Sequence, residues 1–185
     1  MENKTLYLVV SHSGTFISNV VRLVTRDKYS HVSISLGDQL TEMYSFGRKN
    51  AYNPFVGRYV KQSRYSGIFK RFSKTTVAVI KVDVPEQVYN DIKNDLEETY
   101  VNRDQYKYNY RGLFLAAFGY KKQRKNRFYC SEFMHYLFVK HSFPNYYDTN
   151  RVVKPVHFLK MPSGELIYEG RLTEYPASNN EAISE

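Results

Sequence analysis

The chain has 185 residues, of which 42% are hydrophobic and 16% aromatic, enough for one folded domain with a real core and against disorder. The formal net charge of +9 favours contact with phosphate or another polyanion, and the single cysteine, Cys130, excludes an internal disulfide framework. The longest apolar run, Leu113–Phe118, is too short to span a bilayer, and the opening "MENKTLYLVVS" lacks the pattern of a secretory signal, so a cytoplasmic protein is the expectation.

In chain order, "TLYLVVS" (5–11) reads as a buried strand. "TFISNVVRLVT" (15–25) carries Ile17, Val20, Val21 and Val24 at helical spacing. "YSHVSISLGDQLTEMYSFG" alternates as a hairpin, with Gly37-Asp38 predicted as a two-residue turn. Residues 47–74 read as a basic loop with a short strand near Ile68–Phe72. "TTVAVIKVDV" (75–84) is the clearest strand, and Pro85 opens a helix with Val88, Ile92 and Leu96 as its stripe. A short helix follows over Arg111–Gly119. Another starts at Cys130, with Phe133, Met134, Leu137 and Phe138 as its buried face, and "GELIYEG" (164–170) is a last strand. This order predicts an α+β domain with a mainly antiparallel sheet, over 1–172, and a polar tail over 173–185.

Two blocks concentrate the charge. One carries Arg58, Lys61, Arg64, Lys70, Arg71 and Lys74, the other Lys121, Lys122, Arg124, Lys125 and Arg127, neither with an acid. Each reads either as a solvated loop or as a polyanion contact.

Cys130 stands where a helical pattern begins, and a helix N-terminus favours a thiolate, yet a free cysteine is also a common packing residue. A nucleophile needs a base. His135 lies five residues on along the same helix, His141 suits that helix's C-terminus, and His157 has no obvious partner, leaving His12 and His31. If Gly37-Asp38 is the turn, Glu42 opposes Ser33 and lies diagonal to His31 on one face, where a carboxylate could orient the imidazole. A slip of one residue would replace it with Met43.

"YSHVSISL", the acid in "EMYSFGRK", "YNYRG" (108–112), "FYCSEFMHYLF" and "KPVHFL…LIYEG" (154–170) together resemble the circularly permuted papain-like hydrolases. These form the YiiX-like branch of the NlpC-type superfamily, related to the lecithin:retinol acyltransferase group. The resemblance implies a single-domain permuted papain-like fold, with the histidine strand before the cysteine helix. It also implies Cys130 as nucleophile, His31 as base and Glu42 as orienting residue, with Tyr110, Tyr108 and Ser131 near the oxyanion and substrate site. No metal or cofactor is expected. The first functional reading is an amidase or peptidase acting on a peptide or peptidoglycan fragment. The second is a lipid or ester acyl hydrolase or acyltransferase, its basic blocks at an anionic membrane surface. The third is a non-catalytic basic binding module, for which no specific nucleic-acid signature is present.

Overall fold

The computed structural model describes residues 2–14, 27–49 and 56–176. The helix predicted over 15–25 and the end of the polar tail lie outside them. In chain order the elements are β1 (Asn3–His12), β2 (His31–Ser35), β3 (Met43–Arg48), β4 (Gly57–Gln62), α1 (Gly67–Arg71), β5 (Thr76–Pro85) and α2 (Glu86–Val101). There follow β6 (Lys107–Tyr108), α3 (Tyr110–Ala117), β7 (Arg127–Phe128), α4 (Cys130–Lys140) and β8 (Gly164–Arg171).

Six strands form one antiparallel sheet in the order β4-β3-β2-β1-β5-β8. Strands β6 and β7 make a small parallel pair of their own. The α+β domain predicted from the pattern is what forms. β1 is central because both its faces are apolar: Leu6, Leu8 and Val10 enter the larger core, while Val9 joins Val77 and Val79 in a smaller one. The smaller core is closed by Leu40, Met43, Phe69, Leu172 and Tyr175, so the chain is packed through Tyr175.

Helices α2 and α4 cover the other face with the stripes their spacing predicted. Phe133 is the hub, its ring centroid 5.2 Å from Phe46 and Tyr59 and 5.7 Å from Phe128. Asp95 on α2 takes both Lys140 (2.6 Å) and His141 (2.8 Å), which ties down the end of α4.

Two expectations are corrected. Within 47–74 the described residues hold the end of β3, β4 and α1, and the predicted strand near Ile68–Phe72 is helical over Gly67–Arg71. The hairpin also has a different register, with Ile34 opposite Tyr44 and Ser35 opposite Met43. The connection runs from 36 to 42, because Leu40, at φ 52, turns inward and is fully buried in the smaller core. Leucine burial outweighs the tight-turn signal of Gly37-Asp38.

Replacing Phe133 by Ala should lower unfolding free energy in urea by about 3–5 kcal/mol, against well under half of that for Phe133→Leu. Equal losses would mean that the ring cluster is not the core's hub.

Candidate active site

The site is built around the N-terminus of α4. Glu132 is buried, and its carboxylate accepts the backbone N–H of Tyr129 at 3.3 Å, occupying a donor that the first turn leaves free. It also accepts from Asn109 Nδ2 at 3.1 Å. Asn109 in turn caps α3 through Oδ1, which takes the N–H of Gly112 at 3.0 Å, and its Nδ2 reaches the Lys122 carbonyl. A Cβ on Gly112 would stand 2.1 Å from Asn109 Nδ2, so this position leaves no room for a side chain. The "YNYRG" and "CSE" stretches are therefore two halves of one buried network that holds Cys130 in place.

The Cys130 side chain is almost wholly buried. Burial pushes its thiol up to about 11, against the backbone N–H groups of Val32, Ser131 and Cys130 itself, which favour the thiolate. Val32 is the residue after His31. Burial pushes the His31 imidazole down to about 4; the Gln62 side chain opposes this and Arg48 adds to it. Among the described residues no hydrogen bond joins thiol and imidazole, and at neutral pH both are uncharged.

Gly47 on β3 lies beside His31: a Cβ there would stand 3.3 Å from the imidazole Cε1 and 3.8 Å from Gln62 Nε2. His31 Nε2 and Gln62 Oε1 are both buried without a hydrogen-bond partner among the described residues. With the proton on Nε2 the imidazole is a donor and Gln62 Oε1 an acceptor, a complementary pair.

Glu42 does not meet His31. The three-residue change in register, an odd number, removes it from that face. Its carboxylate, about half exposed, pairs with Lys61 at 2.6 Å and lies 3.4 Å from the Tyr44 hydroxyl. Gln62 holds the place beside the imidazole instead. Sequence reasoning missed it because it arrives through the β3–β4 pairing, in a segment whose charge masked its alternation.

Of the tyrosines, Tyr108 has its phenol held well above the usual range, by burial first and by the Cys130 thiolate's charge second. Tyr110 packs against Tyr108 at a tilt, ring centroids 4.6 Å apart, but its hydroxyl is the acceptor for the Gly57 N–H. Ser131 donates to the Val153 carbonyl at 2.7 Å. Beside Cys130 a cleft opens between Tyr29, Ser30, Leu113, Ala117 and Val153, crossed by the Lys154–Asp27 ion pair at 3.0 Å. His12 lies 3.5 Å from Ser30 Oγ, at the edge of this cleft. His135 is held between Tyr146 (2.9 Å) and Asp148 (3.0 Å), a structural setting.

The first basic block is largely engaged. Arg58 faces Asp104 at 3.7 Å, Lys61 pairs with Glu42, and Arg64 donates to the Tyr175 carbonyl and stacks on Tyr65 and Tyr175. Lys70 and Arg71 end α1, where cations suit the helix dipole. In the second block, Lys121, Lys122, Arg124 and Lys125 are exposed.

No protein-family model matches the sequence, and no curated protein matches it. Among solved structures, the metalloprotein YiiX from Escherichia coli O157:H7 matches at a TM-score of 0.53 and 14% identity, over 94% of this chain and 98% of that one. The chain has the YiiX fold. In this chain the strand opened by His31 precedes the helix opened by Cys130, the order that the motifs implied. The YiiX structure is described as a metalloprotein; among the described residues here, no three His, Cys, Asp or Glu side chains converge as ligands, and no chemical step is assigned to an ion.

The YiiX-fold setting of His31 makes stability depend on pH. Its folded value of about 4 lies below the ordinary 6.5, so between those values the unfolded chain binds a proton that the folded one does not. The His31 contribution is fully present above pH 6.5 and lost on acidification towards 4, by about 3 kcal/mol at most. His31→Gln should flatten the acid limb of urea-derived stability over that window; an unchanged limb would show that the imidazole is not held neutral.

Proposed function

We propose that the chain is a cysteine hydrolase that cleaves an amide or ester bond through a thioester on Cys130. The observation that carries this reading is the thiol at the start of α4, facing three backbone N–H groups and opening onto a cleft, next to the strand that His31 begins. Sγ attacks the carbonyl carbon while its proton passes to His31, because neither group is charged beforehand. The N–H groups at the head of α4, with the Tyr108 hydroxyl, stabilise the oxyanion. His31 then protonates the departing amine or alcohol, and water cleaves the thioester to release the acid and the free thiol. Gln62 orients the imidazole through Nε2, the task first assigned to Glu42.

An amidase or peptidase is the first reading. The apolar lining of the cleft, with Leu113, Ala116, Ala117, Val152, Val153 and Pro155, favours a second, in which the acyl group is that of a lipid ester. N-acyl peptides and phospholipids offered in parallel separate the two, and release of fatty acid alone would discard the amidase.

With the preferred substrate, Cys130→Ala should abolish turnover and the thioester adduct seen by mass spectrometry. His31→Ala should lower kcat/KM by about 10²–10⁴ and Gln62→Ala by roughly tenfold, while Glu42→Ala and His12→Ala leave it near wild type. A loss confined to His12→Ala would transfer the role of base to that residue. The acid limb of kcat/KM should fall near pH 4, and iodoacetamide should label the resting thiol slowly at pH 7 and faster as the pH climbs towards 11. Rapid labelling at pH 7 would mean that thiol and imidazole already form an ion pair.

A further inference from the structure

Helix α3 has two different faces. Gly112 and Ala116 are buried, and Leu113, Ala116 and Ala117 form one wall of the Cys130 cleft. Its outer side carries Phe114, 67% exposed, and Phe118, 61% exposed, one turn apart with ring centroids 5.2 Å from each other. Tyr120, 67% exposed, continues the patch, and Tyr110 at the start of the helix is 45% exposed. Large rings scattered singly on a surface need no explanation, but a contiguous set does. Directly after the rings come Lys121, Lys122, Arg124 and Lys125, all exposed, with no acid in that stretch. Lys121 donates to the Thr149 carbonyl at 2.7 Å, and its charge acts on Asp148 and the buried Glu132, both already hydrogen-bonded.

We propose that α3 and the basic segment after it form a docking surface for an anionic phospholipid bilayer. Phenylalanine rings have no polar edge to satisfy, so the acyl–headgroup boundary is where their burial is favourable, while flanking lysines and arginines remain at the depth of the phosphates. Among the described residues no helix is long and apolar enough to cross a membrane, so the contact is peripheral. Docked in this way, the wall formed by Leu113 and Ala117 lies between the bilayer and Cys130. The docking needs neither the Cys130 chemistry nor its substrate.

The chain has no tryptophan, so Phe118→Trp supplies a single reporter. Placed in a Cys130→Ala background, which removes any turnover, its emission should shift to the blue with vesicles of phosphatidylcholine and phosphatidylglycerol, and hardly at all with phosphatidylcholine alone. Co-sedimentation with the anionic vesicles should weaken by roughly tenfold or more for Phe114→Ser with Phe118→Ser, and similarly for Lys121→Gln, Lys122→Gln and Lys125→Gln together. These are exposed positions, and an unchanged circular dichroism spectrum confirms that the variants fold. No blue shift with anionic vesicles, or vesicle binding that ignores the Phe variants, would overturn the proposal. So would single-stranded RNA that displaces the vesicles and binds the Phe variants as tightly as wild type, since the patch would then be a polyanion site without insertion.

Discussion

The hydrogen bond between Asn109 and the buried carboxylate of Glu132 is the constraint on which the site depends. One amide fixes three pieces of chain: it caps α3 at Gly112, holds the Lys122 carbonyl, and reaches the acid that closes the first turn of α4. Burial pushes the Glu132 carboxyl up, and the Asn109 amide, the Tyr129 N–H and the charge on Lys121 work in the other direction. A half-satisfied network of this kind is worse than an apolar core, because a carboxylate stranded without donors costs several kcal/mol. Its completeness is thus also what makes the position of Cys130 rigid. The basic segment of the second block is anchored by the same amide, so the outer face of α3 and the thiol share one foundation.

Burial sets the resting chemistry. At the head of α4 the free N–H groups favour a thiolate, but loss of water outweighs them, and across the strand the same loss of water keeps His31 neutral. A site of this type does not store a thiolate–imidazolium pair. It holds a neutral thiol and a neutral imidazole, and under the proposed reaction the proton moves only when a carbonyl arrives to take the electron pair. Such a resting state also resists adventitious alkylation and oxidation, which act on the thiolate.

Much of the fold was legible because its apolar runs are long. β1 and β5 read as strands from uninterrupted aliphatic sequence, and α2 and α4 from stripes that the structure buries as expected. The shorter hairpin was not, since Gly37-Asp38 is a sound turn signal and only the destination of Leu40, in a core assembled from distant segments, moves the register by three. For the candidate site the division is similar. The placement of Cys130 at a helix start is local and could be read from spacing. The neighbour of His31 comes from β4, two strands away, where Gln62 pairs with Met43 and its side chain reaches towards Gly47; no local pattern encodes that. Asn109 and Gly112 were visible only as the short stretch "YNYRG"; their reason, an amide packed where a Cβ would stand, is a three-dimensional one.

The exchange of Glu42 for Gln62 has a chemical consequence beyond identity. A carboxylate buried against His31 would stabilise the imidazolium and raise its pKa, favouring a preformed ion pair with the thiol. A neutral amide can fix the ring's orientation through Nε2 but offers much less to its positive charge, which is why burial prevails at His31. The cost is a weaker base at rest. The gain is that the imidazole stays neutral well below the ordinary histidine titration near 6.5. Meanwhile the displaced Glu42 neutralises Lys61, whose ammonium lies over the rings of Tyr44 and Tyr100 at 5.5 and 6.0 Å, and thereby helps close the outer edge of the sheet. The acid near the histidine in sequence serves the edge of the fold, and the amide farther along the chain stands beside the imidazole.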